Sequence, residues 1–200
     1  MKTRFVVILF IFLQSCVLTD LKKIDNNDFK FEKVLSNKNK SYIYRANLNL
    51  YDNDFSGMII IKPLKDNFRV VFINEIGMKF FDFEFSEQKF KVNQIFEPMN
   101  KKIFIKLLIN DFRFILMNSL NSENKYFKEK ESNLIAIKPC KKKELYYFNI
   151  QNNYPEKAIK YSSFRSTTFL NYSNYNNNVP NNISIKHENI KFGIELSFVR

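Results

Sequence analysis

Few side chains in this sequence could perform chemistry, and their spacing argues against catalysis. There is one histidine, His187, followed by Glu188 in a segment whose apolar residues alternate with polar ones. Neighbouring residues on a strand point to opposite faces, so this pair cannot act as a catalytic dyad through the strand. One histidine and three glycines also offer no histidine-based metal site, glycine-rich phosphate loop or nucleophile elbow. We therefore expect no enzyme and no metal or cofactor, and we interpret His187 as an ordinary strand residue.

Cys16 is the other residue whose side chain could undergo chemistry, because of the segment that it ends. Lys2 and Arg4 form a positive start, and residues 5–13 are nine uninterrupted apolar residues. A positive start, an apolar stretch and a small residue before the cleavage point are typical of a secretory signal peptide. At about 1.5 Å per residue, the apolar stretch covers less than half of the roughly 30 Å of hydrocarbon that a membrane helix must cross. The segment is therefore too short to be a stable membrane anchor.

The end of this segment, Leu13-Gln14-Ser15-Cys16, resembles a bacterial lipobox. Leu13 stands three places before the cysteine and Ser15 is small, whereas Gln14 departs from the usual small or β-branched residue. The resemblance implies export, cleavage before Cys16 and lipidation of that cysteine with diacylglycerol and palmitate-type chains, which together anchor a protein stably. Val17 is not the aspartate linked to inner-membrane retention in enteric bacteria, which favours the outer membrane. The alternative is an ordinary signal peptide in which Cys16 is incidental.

Length and charge limit what the exported part of the chain is. Without residues 1–15, 185 residues remain, enough for one domain with a sizeable core, and the formal charge falls from +12 to +10. We predict no nucleic-acid partner, because no arginine cluster or nucleic-acid motif is present and an exported protein does not meet the nucleoid. Attraction to anionic membrane lipid is the other interpretation of the charge. Cys140 has no cysteine partner if Cys16 is lipidated, and Pro139 and the lysines after it predict an incidental thiol in a loop.

Alternation of apolar and polar residues predicts two runs of antiparallel strands separated by one helix. Even positions from Tyr42 to Leu50 are apolar, and four further alternating segments are separated by short polar turns, which predicts a five-strand meander. The helical periodicity that follows Pro98 predicts about five turns with a wide apolar face. In the order of the chain, we predict a tether with a short first helix near residues 29–35, the meander over 41–92, the helix over 98–116, strands at 145–151, 158–164 and 166–172, an asparagine-rich turn region at 174–182, and final strands at 183–187 and 190–198.

This order of elements resembles the LolA/LolB family of periplasmic carriers and outer-membrane receptors for lipoproteins, over residues 25–200. The resemblance implies a mainly β, strongly curved antiparallel half-barrel of about 10–11 strands, with helices covering the open side. It divides the chain into a signal peptide (1–15), a lipidated tether with a short first helix (16–40) and one half-barrel domain (41–200). It also implies a monomeric, membrane-anchored protein that binds lipid or acylated lipoprotein at the outer membrane, facing the periplasm, and acts in lipoprotein localisation or lipid transfer. The alternative is a structural or interaction lipoprotein of the envelope whose barrel is filled.

Two groups of residues are the predicted sites. The first group lines the inner wall of the half-barrel and is named at the end of this paragraph. Each methylene removed from water contributes about 0.8 kcal/mol, so an apolar wall can hold an acyl chain without specific polar contacts. The turn between residues 74 and 79 corresponds to the family's loop that hands lipoprotein to the membrane, and it carries Ile76, Gly77 and Met78. The alternative is that this tip folds back into the core. The predicted ligand-lining residues are Phe68, Val70, Phe72, Phe81, Phe83, Phe85, Phe90, Val92, Phe104 and Leu108.

Overall fold

The computed structural model describes residues 21–25, 29–162 and 165–200. The signal peptide, Cys16 and Val17 lie outside these ranges, so lipidation remains a prediction. The described residues form thirteen β-strands and one α-helix. In chain order they are β1 (Leu21–Ile24), β2 (Tyr42–Leu50), β3 (Asn53–Pro63), β4 (Phe68–Ile73), β5 (Lys79–Phe85), β6 (Phe90–Ile95), α1 (Lys102–Ile115), β7 (Lys125–Glu129), β8 (Leu134–Lys138), β9 (Glu144–Asn149), β10 (Pro155–Ser162), β11 (Arg165–Asn176), β12 (Val179–His187) and β13 (Phe192–Phe198).

All thirteen strands belong to one antiparallel sheet that is not closed into a barrel. Its order is β1-β7-β8-β9-β10-β11-β12-β13-β2-β3-β4-β5-β6, so β1 and β6 are its two edges. The predicted meander is β2 to β6, and a second meander runs from β7 to β13. The two meanders join where β13 pairs with β2, with Phe192 opposite Leu50 and Phe198 opposite Tyr44. The mainly β, antiparallel prediction is therefore confirmed.

The sheet is strongly curved, because one short helix contacts strands that are far apart in its order. The Phe112 ring lies 6.0 Å from the Phe81 ring of β5, and the Phe114 ring lies 5.3 Å from the Tyr146 ring of β9. These two strands are eight places apart in the sheet. In a flat sheet that separation is about 38 Å, which two helical residues cannot span. We call the face that contacts α1 the inner face.

Two expectations for the first forty residues are wrong. The predicted short helix near residues 29–35 is absent, since this segment has only a turn at residues 34–35, and Leu35 has a positive φ of 53° that a helix does not allow. Apolar packing fixes the segment instead, with the Phe31 ring 4.9 Å from that of Phe148. Residues of the predicted tether form β1, which pairs with β7. The strand total exceeds the predicted 10–11 because β1, β7 and β8 are short, and β1 and β7 alternate poorly.

The helix is also shorter than predicted. Pro98 lies in a separate short 3-10 helix, Glu97–Met99, and α1 begins at Lys102 because Lys101 is extended. Among the described residues α1 is the one α-helix, where the resemblance implied several, and no described helix is long and apolar enough to span a bilayer. The asparagine-rich region continues as strand on both sides of a two-residue turn at Asn177 and Asn178. Both have positive φ, which asparagine tolerates and a tight hairpin requires.

Candidate functional site

The inner face of the sheet and the apolar side of α1 form one continuous hydrophobic cluster. The helix contributes six buried apolar residues, including Phe104, Leu108 and Phe112. Phe104 contacts Phe192 of β13, with 5.9 Å between ring centroids. The helix therefore packs across the sheet with contacts on both meanders.

Most of the predicted lining residues lie together on this inner face. Five residues of β4 and β5 are buried there, and Phe104 and Leu108 face them from α1. Phe68 and Val92 are half-buried at the margin of the cluster. Phe90 stands apart, because β6 is an edge strand and 44% of this residue is exposed. The five buried sheet residues are Val70, Phe72, Phe81, Phe83 and Phe85.

These side chains fill the space between sheet and helix. The Phe81 and Phe83 rings stack at 4.6 Å, and the Phe72 ring lies 5.4 Å from that of Phe81. Val70, Phe72, Phe81 and Phe83 have 0% of their surface accessible to a water-sized sphere, so no water-sized void adjoins them. An acyl chain on this face would therefore have to take the place of α1.

Hydrogen bonds from the sheet hold the C-terminal end of α1. The last carbonyls of a helix have no partner within it, and buried tyrosines supply donors here. The Tyr172 hydroxyl donates to the Ile115 carbonyl at 2.7 Å, and the Tyr146 hydroxyl lies within hydrogen-bond distance of both the Phe114 carbonyl, at 3.3 Å, and Glu144 Oε2, at 3.0 Å. Burial raises the pKa of both tyrosines well above its usual value, so both remain donors. Arg113 donates to the Ser86 and Lys89 carbonyls at 2.8 and 2.9 Å.

A buried polar pair joins the middle of α1 to β12. His187 Nε2 lies 2.8 Å from Asp111 Oδ2, and His187 Nδ1 lies 3.2 Å from Thr168 Oγ1. Asp111 and Thr168 are 1% and 2% exposed, so this buried group links helix to sheet. The sequence analysis missed this role for His187; Asp111, a charged residue within the apolar stripe, is the signal that indicates it. Across the described ranges, no group of three potential ligands could hold a metal.

The N-terminal end of α1 has fewer polar contacts. No side chain caps its first turn, and Lys101 and Lys102 stand where the helix dipole favours negative charge. Ile103 is 84% exposed, although it is a large apolar residue. The two ends of the helix therefore differ in their polar contacts: side chains hydrogen-bond to the C-terminal end, whereas the N-terminal end has no side-chain cap and is held by the packing of Phe104 on Phe192.

The β4–β5 hairpin projects an apolar tip. Ile76 is 87% exposed and Met78 is 40% exposed, so the tip does not fold back into the core. The Asn74 side chain accepts hydrogen bonds from both of their backbone N–H groups, and Gly77 has a positive φ of 83°. The turn crosses close over Gly57 of β3, where a Cβ would lie 2.1 Å from the Ile73 carbonyl oxygen. The backbone thus holds the tip in a defined exposed position.

Several surface pockets lie away from the predicted lining residues. One of about 690 Å³ is lined by Tyr51 and His187. Another, of about 440 Å³, is lined by Tyr42 and Asn152, at the end of the sheet where β2 begins. A smaller one, of about 230 Å³, brings Glu87 of the β5–β6 turn near Lys143 of the β8–β9 loop. Cys140 lies in that loop and is exposed, with no disulfide partner among the described residues.

No protein-family model matches the chain, and no curated protein matches it in sequence. Two solved structures share a partial likeness. A DUF1329 family protein from Desulfovibrio piger superposes with a TM-score of 0.47 at 8% identity, covering 80% of this chain and 84% of that one. A domain from Vibrio parahaemolyticus, named for outer-membrane lipoprotein sorting, superposes with a TM-score of 0.44 at 10% identity, covering 80% of this chain and 83% of that one. At this level of similarity the function has to be argued from the chain's own residues.

Proposed function

We propose that this chain is a membrane-anchored protein of the bacterial envelope that binds lipid or the acyl chains of lipoproteins, in lipoprotein localisation or lipid transfer at the outer membrane. The inner face of the sheet is the binding surface and α1 is its cover. The observation that carries the proposal is the asymmetry of α1. Its apolar side covers the aromatic inner face, while its N-terminal end has few polar contacts holding it there.

The composition of α1 supports this role. Its residues include four isoleucines and three phenylalanines but no alanine, and β-branched and aromatic residues are weak helix formers. Its stability therefore depends on packing against the sheet rather than on propensity. An acyl chain that replaces α1 on the sheet restores apolar contact at about 0.8 kcal/mol for each methylene, which offsets the lost helix packing.

Anchoring and delivery complete the proposal. Acylated Cys16 would hold the protein on the outer membrane, facing the periplasm, and the exposed Ile76 and Met78 would contact the bilayer during transfer. A large exposed apolar side chain is unfavourable in water unless it meets lipid or a partner. The protein acts as a monomer in this proposal, and no catalytic step is assigned to it.

A removable cross-link between α1 and the sheet tests the role of the helix. In a Cys140→Ser background, the full chain carries Phe104→Cys and Phe192→Cys, bridged by a short bifunctional methanethiosulfonate reagent. Binding is measured by titration with a dansyl-labelled fatty acid and a synthetic diacylated lipopeptide. We expect the bridged protein to lose binding and to regain it when reductant removes the bridge, because ligand and helix compete for the same face.

A matched bridge that leaves α1 free is the control. Asn49 and Asp54 are exposed neighbours on β2 and β3, joined by a 2.7 Å hydrogen bond, so Asn49→Cys with Asp54→Cys places the same reagent on the sheet alone. This bridge should leave binding unchanged. Equal binding by the bridged and reduced forms of the helix variant would refute the covering role of α1. An absence of bound lipid in native mass spectrometry and in the titrations would refute lipid binding altogether.

The close packing between the inner face of the sheet and α1 favours a second candidate function. The absence of water-sized space beside Val70, Phe72 and Phe83 fits a structural or interaction lipoprotein whose core has no ligand. In that case the reduced and bridged proteins both remain empty, and the domain serves envelope assembly through its outer surfaces.

A further inference from the structure

The N-terminal end of α1 carries an exposed apolar side chain surrounded by lysines. Ile103 is 84% exposed, and Lys101, Lys102 and Lys106 beside it are exposed too. Lys106 is three residues after Ile103 and therefore lies on the same side of the helix. The acidic side chain of this segment is Glu97, which accepts a hydrogen bond from Asn100 at 3.3 Å. The end of α1 is thus apolar at its tip and positive around it.

The contacts place this end of α1 beside the apolar hairpin tip. The Phe96 N–H donates to the Phe80 carbonyl at 2.7 Å, and their rings lie 5.8 Å apart, so the segment that leads into α1 leaves the sheet where β5 begins. β5 begins directly after the tip that carries Ile76 and Met78. Ile103 and Ile76 are therefore exposed at the same end of the sheet.

The β2–β3 turn adds to this end. Phe104 contacts Phe192, which pairs with Leu50, and the N–H of the next residue, Tyr51, bonds to the Lys191 carbonyl at 2.8 Å. Tyr51 is 63% exposed and Lys191 is exposed as well. Apolar and aromatic side chains with lysines around them are the composition of a surface that lies in a bilayer interface. Glu75, Asp52, Asp54 and Glu188 lie in or beside the turns at this end and oppose the lysines in part.

We propose that Ile103 and the lysines around it form a second membrane contact beside the hairpin tip, which docks this end of the sheet on an anionic bilayer surface. The apolar tip supplies burial in lipid, and the lysines supply attraction to anionic headgroups that salt screens. The two contacts orient the protein so that the uncapped N-terminal end of α1 meets the membrane. This inference stands whether or not the inner face holds an acyl chain.

Depth-dependent quenching tests the contact. The full chain, with Cys140→Ser and Ile103→Cys, is labelled with an environment-sensitive fluorophore and reconstituted into vesicles that contain doxyl-labelled lipid. The vesicles are phosphatidylcholine alone or an equimolar mixture with phosphatidylglycerol. We expect strong quenching and a blue shift in the mixed vesicles and a loss of both at high salt. A probe at Gln151→Cys, in the exposed β9–β10 turn next to the pocket where β2 begins, should remain unquenched.

Charge reversal separates the lysines from general electrostatics. Lys101→Glu, Lys102→Glu and Lys106→Glu together should abolish quenching of the Ile103 probe. Lys141→Glu, Lys142→Glu and Lys143→Glu together change the net charge equally. Lys142 and Lys143 lie near the β5–β6 turn, at the other end of β5, so this triple variant should leave quenching intact. An unquenched Ile103 probe in mixed vesicles overturns the proposal, as does quenching that neutral vesicles reproduce in full. Shielding of Ile103 by a second copy, seen as a dimer by ultracentrifugation, overturns it too. Because fatty-acid titration is a separate measurement, these failures are distinct from a failure of lipid binding.

Discussion

At the scale of single residues, Asp82 is an acid whose surroundings set a measurable pH dependence. It lies on β5 between Phe81 and Phe83, is 1% exposed, and accepts hydrogen bonds from Arg69 at 2.9 and 2.7 Å. The Arg69 hydrogen bond lowers the pKa of Asp82 to about 2, against burial, which raises it, and with help from Asn93 and Lys79. A lowered folded-state pKa stabilises the protein above the unfolded value of about 3.9 and ceases to do so as the pH falls through about 2.

Asp82→Asn should therefore reduce stability at neutral pH and flatten its dependence on acid. Loss of a hydrogen bond between charged groups costs about 2 kcal/mol. Urea unfolding at neutral pH and again near pH 2, the pKa of Asp82 in the folded protein, measures both effects. The free energies of unfolding of the variant and the unchanged protein should become similar in acid. Glu75→Gln, in the exposed hairpin turn, is the control and should change little. A variant that stays equally far below the unchanged protein at every pH would contradict the ionic origin of the effect.

At the scale of elements, the Asp111–His187 pair attaches α1 to β12, so one substitution can weaken the attachment of the helix. Asp111→Asn keeps the shape of the side chain but weakens its hydrogen bond to His187. We therefore expect faster hydrogen exchange in α1 and a local stability that is lower by about 1–2 kcal/mol. Fatty-acid binding should become tighter, because the state in which α1 covers the sheet is disfavoured. Exchange in β2 and β3 should stay unchanged. Thr168→Val removes the other contact of His187 without touching α1 and is the matched control. Unaltered exchange in α1 would show that the pair does not hold the helix.

The elements also show how far the sequence determines this fold. Alternation over residues 42–92 predicted the first meander because its strands pair with their neighbours through short turns. β1 has lysines at two of its four positions, and its partner β7 lies about a hundred residues away, so no local pattern reveals it. The same holds for the site. Residue type predicted that Phe81 and Phe83 face inward, whereas the contact between Asp111 and His187 spans 76 positions and depends on the curvature of the sheet.

At the scale of the whole molecule, β13 is the joint on which both meanders depend. It pairs with β12 on one side and β2 on the other, and Ile194 is fully buried between Ile185 and Leu48. Ile194→Ala should cost about 2–5 kcal/mol and increase hydrogen exchange in both meanders together, because the cavity lies where they meet. Glu195→Ala, on the same strand but exposed, should have little effect. Exchange that increases in one meander alone would contradict a shared cooperative unit.

The route of the chain between the meanders has a mechanical consequence. β6 is one edge of the sheet and β7 is the neighbour of the other edge, and α1 is the bridge from one to the other. If the helix rises, it stays hinged at both flanks by the connectors 96–101 and 116–124. Its excursion is therefore bounded, and any widening of the aperture between the two edges pulls on the same connectors. The curvature of the sheet and the distance of α1 from its inner face therefore change together. A force that acts on either edge strand is transmitted to α1.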